Sequence, residues 1–189
     1  MSYVILLLEG RLVMDISVDL NNYILNVRTS AFIRCKGEIL VCEHKNKNYY
    51  SLPGGRVKVG EDSKDALLRE LKEELNYDLD GNDLRIARVI ENFFVYKGKN
   101  IHEYLFVYLC DLDESLYNGD FKNLENDNIT MNWVKEDAFI LFDVKPGVVK
   151  GIIRNPNVEH IVLKENMRRF ARKSFAGSVI REALIAMYR

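Results

Sequence analysis

Runs of β-branched and aromatic residues, separated by polar turns, predict a β-sheet along much of the chain. The tripeptide Cys35-Lys36-Gly37 joins two such runs and has the composition of a hairpin turn. Residues 96–100 separate two others with the composition of a longer hairpin loop. We therefore predict five strands, at residues 23–35, 38–44, 84–95, 101–109 and 129–134.

A helical pattern interrupts these strands at residues 63–75, where leucines recur at the spacing of one helix face. Asp62 or Ser63 can cap its first turn. A second helix is predicted at 146–153, because Pro146 favours the first turn of a helix. Strands and helices in this order predict an α/β (α+β) fold, a sandwich with a mixed sheet between helices. The leucines of the first helix are Leu67, Leu68, Leu71 and Leu75.

We expect one domain at residues 23–160, because no linker interrupts this segment. Residues 1–22 form an N-terminal extension that can supply an edge strand. Residues 161–189 form a basic tail, in which apolar residues recur at partly helical spacing. The tail is expected to form amphipathic helices that pack on this domain or on a second subunit, in which case the protein is a homodimer.

The composition predicts a soluble globular protein, with 48% hydrophobic and 29% charged residues. A net charge of -1 provides no general attraction to long nucleic acids, so an anionic ligand must be bound locally. The longest N-terminal apolar run is too short to span a membrane. Cys35, Cys42 and Cys110 lie in apolar runs without a CxxC pair, which predicts buried thiols and a cytoplasmic location.

Three carboxylates on the first helix are the candidate chemistry. At 100° per residue, Glu70, Glu73 and Glu74 fall within a sector of roughly 100° beside the leucine face. A solvated acidic surface is the alternative, but Glu70 and Glu74 repel each other at the i,i+4 spacing, by about 0.2–0.5 kcal/mol. A divalent cation would reverse this repulsion. Oxygen ligands favour Mg²⁺, and the three histidines lack the spacing of a zinc site.

The segment 55–77 resembles the Nudix box, G-x5-E-x7-R-E-U-x-E-E-x-G-U, where U is a bulky aliphatic residue. Asn76 replaces the usual Gly and Tyr77 the usual aliphatic residue, although Asn also tolerates a left-handed helix cap. The resemblance extends to residues 50–55, similar to an aromatic-x-x-P-G-G entry, and to 132–135, similar to a W-V-P strand end. The matching box residues are Gly55, Glu61, Arg69, Glu70, Leu71, Glu73 and Glu74.

The resemblance implies a Nudix-type fold and Mg²⁺-dependent hydrolysis of a diphosphate linkage in a small nucleotide, with Mn²⁺ as a substitute metal. It implies that Glu61 and Arg69 orient the box. It leaves open whether the general base is Glu70, Glu73 or, from outside the box, Glu103, which can also bind the metal. The implied metal ligands are Glu70, Glu73, Glu74 and the carbonyl of Gly55.

Substrate contacts are predicted only by residue type. Arg28 and Lys58 can pair with phosphate, and Phe93, Phe94 or Tyr96 can stack on a base, although such residues are more often solvated cations and core aromatics. The substrate can be a nucleoside triphosphate, ADP-ribose or another nucleotide sugar. Nucleoside triphosphates are favoured slightly, because a proline after the box is associated with family members that act on ADP-ribose, and no proline stands near residue 92. Two other hypotheses are a nucleotide-binding module without turnover and an isopentenyl diphosphate isomerase, which needs a reactive cysteine.

Overall fold

The computed structural model describes residues 6–8 and 11–165, with side chains from residue 14 onward. This part of the chain contains twelve strands, two α-helices and three short 3-10 helices. The helices are α1 (Ser63–Leu75) and α2 (Glu136–Phe139), with 3-10 helices at Gly81–Asp83, Glu114–Leu116 and Gly147–Ile153. The strands are β1 (Leu6–Leu8), β2 (Arg11–Val13), β3 (Ser17–Leu20), β4 (Tyr23–Cys35), β5 (Glu38–His44), β6 (Tyr50–Ser51), β7 (Leu84–Tyr96), β8 (Lys99–Asp111), β9 (Phe121–Lys122), β10 (Ile129–Lys135), β11 (Val144–Lys145) and β12 (Glu159–Lys164).

Strands β4 and β8 form the centre of a mixed sheet. They run parallel from the pair Tyr23 and Asn100 to the pair Arg34 and Asp111. β8 pairs with β7 in the antiparallel direction, and β12 pairs with β7 in parallel. On the other side, β5 pairs with β10 and with β6, while β3 pairs with the start of β4. The predicted mixed sheet is therefore confirmed.

The two faces of this sheet pack against different helices. The α1 face carries Leu67 and Leu71 against Ala31, Ile33 and Cys110. The opposite face, which we call the α2 face, packs against α2 and the 3-10 helix at 147–153. It includes Phe32, Leu105, Val107, Leu109, Phe139 and Ile152. Because side chains alternate along a strand, even-numbered residues of β4 and odd-numbered residues of β8 lie on the α2 face.

Local sequence signals place α1 within the residues predicted for it. The side chain of Asp62 accepts hydrogen bonds from the backbone N–H groups of Lys64 and Asp65, at 2.8 and 3.0 Å. Asn76 ends the helix in the left-handed conformation, with φ 57°, and donates its N–H to the carbonyl of Lys72. Asn76 thus adopts the left-handed capping conformation that Gly usually provides at the end of a helix.

Two predicted elements differ from the structure in detail. The turn between β7 and β8 contains only Lys97 and Gly98, with φ 48° and 79°, because Tyr96 already pairs with Lys99. Such a two-residue turn matches the twist of the strands better than the five-residue loop that we predicted. The segment after Pro146 forms a 3-10 helix at Gly147–Ile153 in place of the usual α-helix.

Two segments, one before residue 23 and one after residue 158, add strands to the sheet. β3, within the N-terminal extension, pairs with β4. Residues 161–164, expected to begin a helical tail, instead continue β12, because they pair with residues 90–93 of β7. The buried guanidinium of Arg88 fixes the residues that lead into this strand. Arg88 donates to the carbonyls of Asn155 and Asn157 at 2.7 Å and pairs with Glu159 at 3.0 Å. The rest of the predicted tail, from residue 166, lies outside the described residues.

Among the described helices, none has the length and apolarity needed to cross a bilayer.

Candidate metal centre and substrate cavity

A glycine-containing segment runs along β4 and positions the site. Thr29 N–H donates to the carbonyl of Gly55 at 3.0 Å, and Ala31 N–H donates to the carbonyl of Pro53 at 2.9 Å. Gly54 has φ 131°, and a Cβ atom there would lie 2.4 Å from the carbonyl oxygen of Thr29. Only glycine permits this approach, because both the conformation and the missing side chain are required.

Two glutamates of α1 lie against this segment. The carboxylate of Glu74 accepts a hydrogen bond from Gly54 N–H at 3.2 Å. The carboxylate of Glu70 occupies the space that a side chain on Gly55 would fill, since a Cβ atom there would lie 2.2 Å from Glu70 Oε2. Position 55 must therefore be glycine, because any side chain there would overlap the carboxylate of Glu70.

A third carboxylate, Glu125, completes a cluster that the sequence did not predict. Oxygen atoms of Glu70, Glu74 and Glu125 all lie within 4.8 Å of one another. The loop that carries Glu125 is fixed to α1, because Leu124 N–H donates to the backbone carbonyl of Glu74 at 2.9 Å. The buried side chain of Asn123 shapes the same loop by accepting from Glu125 N–H. We call these three residues the carboxylate cluster.

Arg69 ties the box together through three carboxylates. Its guanidinium donates to Glu61 at 2.8 and 3.1 Å, to Glu70 at 2.7 Å and to Glu73 at 2.8 Å. Glu61 also accepts from Lys58 N–H at 3.0 Å, which fixes the loop before α1. Arg69 and Glu61, which the resemblance implies orient the box, are thus in contact, and Glu73 binds Arg69 outside the carboxylate cluster.

The pKa values reflect how crowded this negative charge is. Burial raises the pKa of Glu70, and the charges of Glu73 and Glu125 add to this, although Arg69 opposes it. Burial likewise raises the pKa of Glu74, assisted by Glu70 and Glu125 and opposed by Asn123 and Gly54 N–H. A cation bound between Glu70 and Glu74 would stabilise the ionised form of both carboxylates.

The donor atoms of the cluster fit a hard divalent cation. All three side chains offer oxygen, the missing side chain of Gly55 makes room for the Glu70 carboxylate, and Glu74 is already oriented by a backbone N–H. The carbonyl of Gly55 accepts from Thr29 and keeps a second lone pair. Mg²⁺ and Mn²⁺ suit such ligands, whereas zinc favours nitrogen and sulfur.

A cavity of about 70 Å³ lies beside β4 and β8. Arg28 and Ser30 of β4 and Glu103 of β8 belong to the α2 face by strand alternation. Gly54 lies close to both sites, because its N–H donates to Glu74 and a Cβ atom on it would lie 2.7 Å from the Cα atom of Ser30, which lines the cavity. The lining residues include Arg28, Ser30, Ser51, Glu103, Leu105 and Lys145.

Among the predicted substrate residues, only Arg28 lines this cavity. Lys58 lies in the loop before α1, and Tyr96 is 46% exposed at the far end of β7. Phe94 is half-buried two residues from it, and Phe93 stacks on His102 at 4.2 Å. The structure therefore brings Arg28 and Glu103 together in one cavity and leaves the predicted aromatics outside it.

Glu103 does not join the carboxylate cluster in the described part of the chain. It is 6% exposed, and Asn92 donates to it at 3.4 Å from the adjacent strand. The third carboxylate of the cluster is Glu125 and not Glu103. The sequence did not predict Glu125, because it lies in a polar loop without a motif. The order of the strands alone brings that loop to α1.

The cysteines are placed for packing. Cys35, Cys42 and Cys110 are all buried, and burial raises the pKa of each thiol, that of Cys110 to about 12. A thiolate is the reactive form of cysteine, so none of the three side chains is activated. This disfavours an isomerase that needs a reactive cysteine.

Comparison with known proteins identifies the family and the fold. The sequence profile described as NUDIX domain matches residues 25–153. The MutT protein of Bacillus halodurans shares the fold at a TM-score of 0.59 and 15% identity, over 75% of this chain and 92% of that one. The MutT protein of Methanosarcina mazei Go1 gives 0.52 and 20% identity, over 73% and 96%. No curated protein matches the chain.

Proposed function

The chain belongs to the NUDIX domain family and is a Nudix hydrolase, and we propose that it uses Mg²⁺ to cleave a diphosphate linkage in a small nucleotide. The observation that carries this proposal is the carboxylate cluster, with oxygens of Glu70, Glu74 and Glu125 within 4.8 Å against a glycine segment. Mn²⁺ is the expected substitute, because it accepts the same oxygen ligands.

Glu70, Glu74 and Glu125 hold the cation in this proposal, with the carbonyl of Gly55 as a further ligand. A divalent cation there supplies charge neutralisation at the diphosphate and lowers the pKa of a bound water. Arg69 keeps Glu70 in place by its hydrogen bond at 2.7 Å and ties it to Glu61. A fixed ligand set of this kind lowers the barrier, because no reorganisation is needed during the reaction.

Glu73 is the general base that we propose. Its side chain is 37% exposed, against 13% for Glu70, and one carboxylate oxygen accepts from Arg69 while the other has a lone pair available for a proton. Glu70 is the second candidate inside the box. Glu125 is the candidate outside it, since its side chain is exposed at the cluster.

A metal titration distinguishes the base from the ligands. Substitution of a ligand weakens metal binding and is partly rescued by excess Mg²⁺, whereas loss of the base persists at saturation. We expect Glu73→Gln to remain severely impaired at saturating Mg²⁺, and Glu125→Gln to recover. The opposite order would place the base in the loop.

The substrate is a nucleoside diphosphate derivative, such as a nucleoside triphosphate, ADP-ribose or another nucleotide sugar. Arg28 in the cavity is suited to an anionic group of such a molecule, because a guanidinium matches phosphate geometry. The buried free thiols support the expected cytoplasmic location.

A panel of these substrates with product identification by ³¹P NMR tests the function. Hydrolysis should require Mg²⁺ or Mn²⁺ and stop with EDTA. Glu91→Gln is the matched control, because Glu91 is a β7 glutamate that pairs with His160 outside the cluster and the cavity. Nucleotide binding without any turnover would show that the chain is a binding module.

A further inference from the structure

The cavity contains two buried polar groups that the proposed hydrolysis does not use. Glu103 is 6% exposed and receives one hydrogen bond, from Asn92. Ser30 is 7% exposed, and its hydroxyl has no hydrogen-bond partner among the described protein groups. Buried polar groups are normally satisfied, so an unpaired hydroxyl beside a buried carboxylate indicates a place where a polar ligand completes the bonding.

The two buried groups Glu103 and Ser30 favour a ligand group that donates hydrogen bonds, while Arg28 in the same cavity remains suited to a neighbouring phosphate. A carboxylate such as that of Glu103 only accepts, and a pair of adjacent donors can bind to it. The hydroxyl of Ser30 both donates and accepts. Lys145, which also lines the cavity, is paired with Asp143 at 2.9 Å, so its charge is already balanced. Hydroxyl groups of a ligand fit these requirements.

The cavity has room for small polar groups of a ligand, because one water molecule needs roughly 10–15 Å³ of the space that amounts to about 70 Å³ here. Two neighbouring hydroxyls on one sugar fit this space.

The position of the cavity also favours a sugar. Gly54 lies close to both the carboxylate cluster and Ser30. In a nucleoside diphosphate derivative the ribose is attached directly to the phosphate chain, and the base lies one unit further away. A diphosphate at the cluster therefore brings the ribose, and not the base, to the cavity beside Gly54.

We propose that Glu103 and Ser30 bind the 2′- and 3′-hydroxyls of the substrate's ribose, which makes the enzyme selective for ribonucleotides over 2′-deoxyribonucleotides. This proposal rests on the proposed function, because it requires the diphosphate to bind at the carboxylate cluster. It assigns Glu103 to substrate selection and removes it from the metal ligands and base candidates. A carboxylate that accepts from a ribose 2′-hydroxyl is a known solution in nucleotide-binding sites.

The test compares each ribonucleoside triphosphate with its 2′-deoxy counterpart. A site built to bind a hydroxyl rejects the analogue that lacks it, because its buried groups are left unpaired. We expect wild-type kcat/KM to favour the ribonucleotide by about ten- to a hundredfold, the effect of one hydrogen bond to a charged group. A preference near one for every base would overturn the proposal.

Single substitutions then show which residues cause the preference for the ribonucleotide in kcat/KM. Glu103→Gln keeps the volume of the side chain, and should lower kcat/KM for the ribonucleotide while leaving the deoxynucleotide nearly unchanged. Ser30→Ala should reduce the same preference by a smaller factor. Glu91→Gln, the matched control, should retain the wild-type ratio. If Glu103→Gln retains it too, Glu103 does not bind the sugar.

An equilibrium measurement separates this proposal from the proposed function. Isothermal titration calorimetry with Ca²⁺ in place of Mg²⁺ measures Kd for ATP and 2′-dATP without turnover. A ribose preference in Kd that Glu103→Gln abolishes supports the sugar site, even if the chain hydrolyses neither compound. Hydrolysis of both with equal kcat/KM and equal Kd would overturn the sugar site while the hydrolase function stands.

Discussion

Replacing Gly55 by Ala tests whether this glycine exists to make room for Glu70. A Cβ atom at position 55 would lie 2.2–2.5 Å from the carboxyl atoms of Glu70. Carbon atoms in contact normally lie about 3.5–4.0 Å apart, so the carboxylate must move by roughly 1 Å. A displacement of this size at a catalytic group can cost about a hundredfold in rate.

The stability of the Gly55→Ala variant should change little, because only the end of a flexible side chain must move. The backbone of Gly55 lies outside the left-handed region, so alanine can adopt its conformation. Alanine also reduces the conformational entropy of the unfolded chain, which adds about 0.4–1 kcal/mol to the free energy of unfolding. We therefore expect kcat/KM to fall about a hundredfold, with a free energy of unfolding within about 1 kcal/mol of wild type.

Gly54→Ala is the matched control in the same segment. Its Cβ would lie 2.4 Å from the carbonyl oxygen of Thr29, and φ 131° disfavours any side chain. Conformational strain of about 1–3 kcal/mol adds to overpacking of similar size, so this variant should lose both stability and activity. Circular dichroism melting and steady-state hydrolysis compare the two. A Gly55→Ala enzyme within threefold of wild-type activity would show that Gly55 does not make room for a catalytically important Glu70.

Three further predictions follow from single side chains. Burial alone would raise the pKa of Glu61, but hydrogen bonds from Arg69 and Lys58 N–H outweigh it and lower the pKa. Its contribution to stability is present above the ordinary value of 4.5 and is lost as pH falls through the lowered value. Urea unfolding of Glu61→Gln should therefore show a deficit at pH 7 that disappears in acid. Asn76→Gly should melt at or slightly above the wild-type temperature, since position 76 is left-handed. Cys110 should resist alkylation in the native protein, as followed by mass spectrometry, until urea unfolds it.

The parts of the site that the sequence predicted are those built from local chain. Helix α1 follows from the leucine spacing, the cap at Asp62 and the left-handed Asn76, each of which acts within a few residues. The contact between Arg69 and Glu61 also belongs to this local unit. These features could be predicted from the sequence because helix geometry fixes which side chains share a face.

The parts that the sequence did not predict depend on how distant strands assemble. Glu125 reaches Glu74 only because β10 pairs with β5 and carries its preceding loop across α1. Glu103 was a candidate ligand because its strand was predicted, but the face of a strand depends on register. β12 was missed for the same reason, since its pairing with β7 is parallel and distant in sequence.

Binding of Mn²⁺, followed by electron paramagnetic resonance, tests the carboxylate cluster most directly. Wild-type protein and Glu91→Gln should bind Mn²⁺ with the same Kd, because Glu91 lies outside the cluster. Glu74→Gln should raise Kd by at least about tenfold and lower turnover by at least about a hundredfold, with an unchanged fold. Equal Mn²⁺ affinity in wild type and Glu74→Gln would contradict the assignment of the cluster as the metal centre.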